Sequence, residues 1–148
     1  MIFPAPHRVS DLPTGLPALR DEAEAEGLRL LRVLEEDWEA GTVRFAGPGE
    51  GLFAVEVGLI LAGIGGVTAD PYAGRGVARV RRLYVGQTFR GRGLGRALVV
   101  AARDVARDAG CRVLRVRAPA TAAGFYERIG FRPVTEERGA SHVLALQA

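Results

Sequence analysis

Between Val77 and Ala118 the chain reads as strand, glycine-rich loop, amphipathic helix and strand, and that order leaves little topological freedom. Val77 to Val85 is apolar at most positions and is followed by Arg90-Gly-Arg-Gly-Leu-Gly95. Leu94 to Ala109 carries Leu94, Leu98, Ala101, Ala102 and Val105 at the three-and-four spacing of one helix face, with Gly110 as its stop. Arg112 to Ala118 is the second strand. A crossover that contains a helix of this length forces its two strands to run parallel. Within the first strand the pair Arg81-Arg82 breaks strict alternation and marks a bulge.

The segments around this unit favour antiparallel pairing. Leu52 to Val57 and Leu59 to Val67 are two strands separated by Gly58, the pattern of a tight hairpin. A short strand is expected near His7 to Val9, a helix from Leu16 or Pro17 to Glu26 stopped by Gly27, and a closing strand over Val143 to Leu146. Leu28 to Leu34 reads either as a short strand or as the start of a helix that runs on to Ala40 and ends at Gly41. Ala120 or Thr121 to Ile129 is a short helix stopped by Gly130. The expected fold is α+β: a mixed, mostly antiparallel central sheet with one parallel strand pair and flanking helices. At 148 residues, with no repeat and no low-complexity linker, residues 1–148 are expected to form a single domain.

Charge is divided along the chain. Residues 1–70 carry five Arg against twelve Asp and Glu, whereas residues 71–148 carry fifteen Arg against five. All 20 basic residues are Arg, and Lys and Asn are both absent. A genome rich in G and C would deplete their A-rich codons together. A basic half suits a polyanionic partner, either nucleic acid or a phosphorylated cofactor. Nucleic acid is not expected, because no aromatic or helical readout surface accompanies the charge. Cys111 is the only cysteine, so an internal disulfide and a Cys-based zinc site are excluded. The longest apolar stretch is broken by glycines and falls short of a membrane span. No signal or transit peptide is indicated, so no membrane association is expected and the cytoplasm is the default location.

The glycine loop opens directly onto a helix N-terminus, where main-chain N–H groups and the positive end of the peptide dipole converge. Glycine at alternate positions permits positive φ and close approach, which suits phosphate oxygens. Arg90, Arg92 and Arg96 add charge around the same point. A dinucleotide-binding turn fits poorly, since the next strand offers Arg115 and Arg117 where that pattern needs an acid. A P-loop needs a Lys that the chain does not contain.

Arg90-x-x-Gly93-x-Gly95 resembles the acetyl-CoA loop of the GNAT N-acetyltransferase family, and Phe125-Tyr-Glu-Arg-Ile-Gly-Phe131 resembles its second signature. The likeness covers about residues 52–146 in element order. It implies a GNAT-like sheet whose parallel pair splays at the bulge, with acetyl-CoA as acyl-donor substrate. Leu83, Tyr84 and Val85 would offer strand backbone to the pantetheine arm, and Arg90, Gly91, Arg92, Gly93, Leu94, Gly95 and Arg96 would wrap the pyrophosphate. Tyr126 falls where the family has its general acid. Ala122 matches the family pattern, whereas Pro119 stands where an Asn is common.

The implied reaction is acetyl transfer to a primary amine of a small-molecule or peptide acceptor by direct attack in a ternary complex. The same features would serve a non-catalytic acyl-CoA sensor or partner-binding module, and a homodimer is compatible with either. Tyr126 could protonate the departing thiolate, and a backbone N–H near Val85 could steady the oxyanion. For the base, Glu36, Asp70 and His142 are candidates beside a water chain or deprotonation of the amine in solution. The cluster Glu35-Glu-Asp-Trp-Glu39 could attract a cationic amine, with Trp38 as a wall. Conversely, Arg79 or Arg81 in the cleft would favour an acceptor that bears a carboxylate.

Overall fold

The structure, a computed structural model, describes residues 2–146; Met1, Gln147 and Ala148 of the expected 1–148 span lie outside the described residues. The elements run β1 (His7–Arg8), α1 (Leu16–Ala25), α2 (Leu30–Ala40), β2 (Gly51–Val57), β3 (Ile60–Ala69), β4 (Val77–Val85), α3 (Leu94–Asp108), β5 (Val113–Val116), α4 (Ala123–Arg128), β6 (Arg132–Pro133) and β7 (His142–Ala145). The strands form one sheet in the order β1-β2-β3-β4-β5-β7-β6. Every pairing is antiparallel except β4 with β5, as the crossover requires.

Alternation along the strands sorts side chains onto two faces. On one face Leu52, Ala54, Leu61, Ile64 and Tyr84 pack beneath α1 and α2. On the other, Phe53, Val55 and Ala62, with Val67, Ala78, Val80 and Leu114, meet α3 through Leu98, Val99, Ala102 and Ala106. The segment from Leu30 is helical because Leu31 and Leu34 are buried among the residues of α1 and the sheet. Gly41, at φ +75°, stops that helix in a left-handed C-cap.

Two irregularities shape the sheet. Between β3 and β4 the register steps from Ile64↔Tyr84 to Gly66↔Arg81, so β4 carries one residue more than its partner. Arg82 takes up the difference at φ +56°, a left-handed conformation uncommon for a residue with a side chain. This is the expected bulge. The parallel ladder of β4 with β5 covers only Val77↔Val113, Ala78↔Leu114 and Arg79↔Arg115. Beyond Arg79 the two strands diverge into a fork.

β5 is shorter than its sequence suggests. The N–H of Ala118 is satisfied by Ser141 Oγ at 2.8 Å instead of by a strand partner, so the segment leaves the ladder after Val116. Among the described residues no helix is long and apolar enough to cross a membrane.

Candidate functional site

The fork opens a cleft of about 450 Å³. Its walls are β4 from Arg79 to Leu83, the end of β5 from Val116 to Pro119, the Gly27–Leu30 turn between α1 and α2, and Tyr126 of α4. The β5-facing edge of β4 has no ladder partner from Val80 onward. Backbone groups along that edge are available to an extended ligand, as they would be to an added strand.

Tyr126 is buried to 4% exposure. Edge-to-face contacts with Phe125 and Phe131, at centroid distances of 4.9 and 5.3 Å, hold its ring. Burial raises its pKa above that of an ordinary phenol, so the hydroxyl keeps its proton across the physiological range. Its hydroxyl makes no hydrogen bond to any described residue, which leaves it free to act within the cleft it lines.

The glycine loop lies beyond the far end of β4. Gly91 and Gly93 have φ of +75° and +86°, and nothing lies within 4 Å of where a Cβ would project, so backbone conformation alone requires glycine there. Gly93 caps α3 without any side-chain hydrogen bond, so the first N–H groups of that helix face outward uncapped. Gly95 is needed for a different reason. A Cβ there would sit 3.1 Å from two ring carbons of Phe125, so the loop and the aromatic segment of α4 are in direct contact. Leu94 is buried beneath the loop.

The three arginines of the loop do not act alike. Arg90 is exposed but fully engaged: Nη1 and Nη2 donate to Glu26 at 3.0 and 2.7 Å, and Nε donates to the Val85 carbonyl at 3.0 Å. Arg92 and Arg96 are exposed and form no ion pair among the described residues. Tyr84 joins the Arg90 clasp, since its hydroxyl donates to Glu26 and lies 3.2 Å from Glu22. Hydrogen bonds from Arg90 and then Tyr84 hold the Glu26 carboxyl down at about 2, which makes it a poor proton acceptor. Glu22 also accepts the Gln87 N–H at 3.0 Å. Sequence reasoning missed both acids, although Glu22 on α1 and its C-cap Glu26 stand four residues apart, the spacing of one helix face.

None of the base candidates lines the cleft. Asp70 has a fully buried side chain between Arg79 at 3.7 Å and Arg115 at 3.4 Å, at the closed end of the fork. Glu36 is exposed and faces Arg29 at 3.9 Å. His142 is buried, bonded through Nε2 to Glu127 and through Nδ1 to Ser141, each at 2.9 Å. The acidic cluster is dispersed. Glu35 binds Arg20, Asp37 lies 3.5 Å from Arg82, and Trp38 stacks under Arg44 rather than walling the cleft. Among the described residues no carboxylate or imidazole lines the cleft, whereas Arg29, Arg79, Arg81, Arg82 and Arg117 all do.

Comparison with known proteins bears on the family and the fold. The acetyltransferase (GNAT) domain family matches residues 48–133, a span that runs from β2 to β6. A Bacillus subtilis (strain 168) protein named among the acetyltransferases is 33% identical over 81 residues, covering 47% of this chain and 55% of that relative. The match thus spans about half the length of that curated relative. A crystal structure of an Exiguobacterium sp. 255-15 protein, also named among the acetyltransferases, superposes with a TM-score of 0.83 at 26% identity, covering 98% of this chain and 94% of the other. A GNAT family N-acetyltransferase of Escherichia coli in complex with CoA shares the fold, with a TM-score of 0.67 at 16% identity, over 99% of this chain and 84% of that one.

Proposed function

The chain belongs to the acetyltransferase (GNAT) domain family, and from that premise we propose that residues 1–148 form a single N-acetyltransferase domain that moves an acetyl group from acetyl-CoA to a primary amine by direct attack in a ternary complex. The observation that carries this reading is the fork itself, a cleft between parallel strands with a buried phenol in its wall. A relative of the same fold binds CoA.

The residues present fit the donor. The uncapped start of α3, with Gly91 and Gly93 at positive φ and Arg92 and Arg96 unpaired, suits a pyrophosphate. Arg90 serves by holding the loop to α1. The edge near Leu83, Tyr84 and Val85, which has no ladder partner and gives only its Val85 carbonyl to Arg90, suits the amides of a pantetheine arm. Bound there, acetyl-CoA supplies an activated carbonyl and a thiolate leaving group.

Tyr126 is the general acid in this mechanism. A phenol that stays protonated at neutral pH can give its proton to a departing thiolate, and the neighbouring rings keep it in place. A main-chain N–H near Val85 steadies the developing oxyanion. The arginines of the wall bear on the missing base. Acids offset Arg29, Arg79 and Arg82, but the charge of Arg81 and Arg117 disfavours an ammonium and lowers the pKa of a bound amine, so the nucleophile enters neutral without a dedicated carboxylate.

The test is direct. Excess acetyl-CoA is expected to raise the melting temperature through linkage, and thiol release is expected with a suitable amine. A melting temperature indifferent to acetyl-CoA overturns the reading.

A further inference from the structure

Among the five arginines of the cleft, three are already engaged. Arg79 lies 3.7 Å from Asp70 and donates to the Gly139 carbonyl. Arg82 lies 3.5 Å from Asp37, and Arg29 lies 3.9 Å from Glu36. Arg81 differs. It forms no ion pair among the described residues, and its Nε is buried without a hydrogen-bond acceptor. Arg117, exposed at the end of β5, also lacks an ion-pair partner among the described residues.

A guanidinium in a cleft wall with no acidic partner carries charge that the fold leaves without a counter-ion, and an anionic ligand in the cleft would offset it. Burial, and then the neighbouring Arg82, push the Arg81 pKa below its ordinary value, the mark of a cation that the protein itself leaves undercompensated. The donor substrate does not supply the missing partner. Arg81 lies four residues before Val85, about 13 Å along the strand, and the glycine loop begins only after that. Arg81 and Arg79 point to the face covered by α1 and α2, two residues apart and before the bulge, and by alternation Arg117 shares that face with Arg115.

Resting on the acetyltransferase reading above, we propose that the acceptor amine carries an oxyanion, a carboxylate or phosphate, and that Arg81 is the residue that binds it, with Arg117 adding charge at the mouth. The guanidinium fork matches either group with two parallel N–H···O bonds. The amine end would then reach toward Tyr126 on the opposite wall.

The experiment uses four amines of one skeleton, assayed by thiol release with acetyl-CoA: ethanolamine, 1,2-diaminoethane, β-alanine and phosphoethanolamine. The last two separate the carboxylate from the phosphate. An anionic amine is expected to exceed ethanolamine in kcat/KM by about 10- to 100-fold, mostly through KM. Arg81→Gln should collapse that preference, while Arg132→Gln, which removes an exposed arginine outside the cleft, should keep it. Equal use of neutral and anionic amines, or a preference that survives Arg81→Gln, overturns the proposal.

A second measurement separates this outcome from failure of the transferase reading. With coenzyme A at saturation, inorganic phosphate and acetate are each titrated against the melting temperature of the wild type and of Arg81→Gln. A saturable rise with either anion in the wild type, absent in the variant, supports the anion site even if no amine in the panel reacts. No rise with either, or the same rise in both proteins, overturns it. Loss of acetyl-CoA binding alone bears on the transferase reading and not on this one.

Discussion

At the closed end of the fork, Asp70 lies between Arg79 and Arg115 with its side chain fully out of solvent. At the open end, Glu26 takes Arg90 and Tyr84 with its side chain 30% exposed. Both arrangements set one carboxylate against cationic groups from other elements, by charge proximity at Asp70 and by hydrogen bonds at Glu26, but the dielectric around them differs. Buried, the charges cannot fall back on water if a partner is lost. Near the surface, water replaces most of what the partner gave. The comparison teaches that the closed end fixes where β4 and β5 part, while the open end only trims the loop against α1.

The largest effect should therefore come from Asp70→Ala, which strands two buried guanidiniums. It is expected to cost about 3–5 kcal/mol, read as a lower urea midpoint with an unchanged slope. A loss below about 1 kcal/mol would make the two ends equivalent and break the comparison.

Next comes the phenol just inside the open end. Tyr126→Phe is expected to lower kcat by about 100-fold or more with acetyl-CoA affinity little changed. Thiol-release kinetics and calorimetry check the two parts. Equal losses in both would recast the residue as a cofactor wall.

Gly95→Ala tests the contact between loop and α4. Its new methyl would meet Phe125 at 3.1 Å, an overpacking expected to cost about 1–3 kcal/mol. Thermal melting would report the cost, and acetyl-CoA affinity and turnover should fall together.

The smallest effect belongs to Glu26→Gln, less than about 1 kcal/mol at neutral pH. Its signature is in the acid range. The folded carboxyl is held at about 2 against an ordinary value of 4.5, so its contribution is present above pH 4.5 and is lost as pH falls through the folded value. The wild-type melting temperature should decline through that window, and the variant should show a flatter curve there.

The sequence disclosed whatever is set by local backbone geometry. The glycines at 27, 41, 58, 91, 93 and 110 all adopt positive φ, and together with the helix periodicity they marked element ends, the hairpin and the crossover. The Arg81-Arg82 doublet marked the bulge by breaking the alternation of the strand. Contacts between distant segments were not legible. Glu26 and Arg90 are 64 residues apart, and no pattern in either segment points to the other. Leu28 to Leu34 stayed ambiguous because the choice rests on burial against α1. The two-residue β6 has too little sequence to carry a period of two, and it exists because β7 offers it an edge. At the site, the loop and Tyr126 were visible as motifs, whereas the division of the arginines into paired and unpaired sets emerged only from their neighbours in space.

The bulge at Arg82 also sets the parity of β4. Before it, odd-numbered positions such as Arg79 and Arg81 face α1 and α2, and after it the even-numbered Tyr84 does, while Leu83 and Val85 turn toward α3. Deleting a single residue there would exchange those assignments, sending a phenol into the apolar layer and a leucine out to the acids of α1. The number of residues in this strand is thus as much a part of its message as their chemistry.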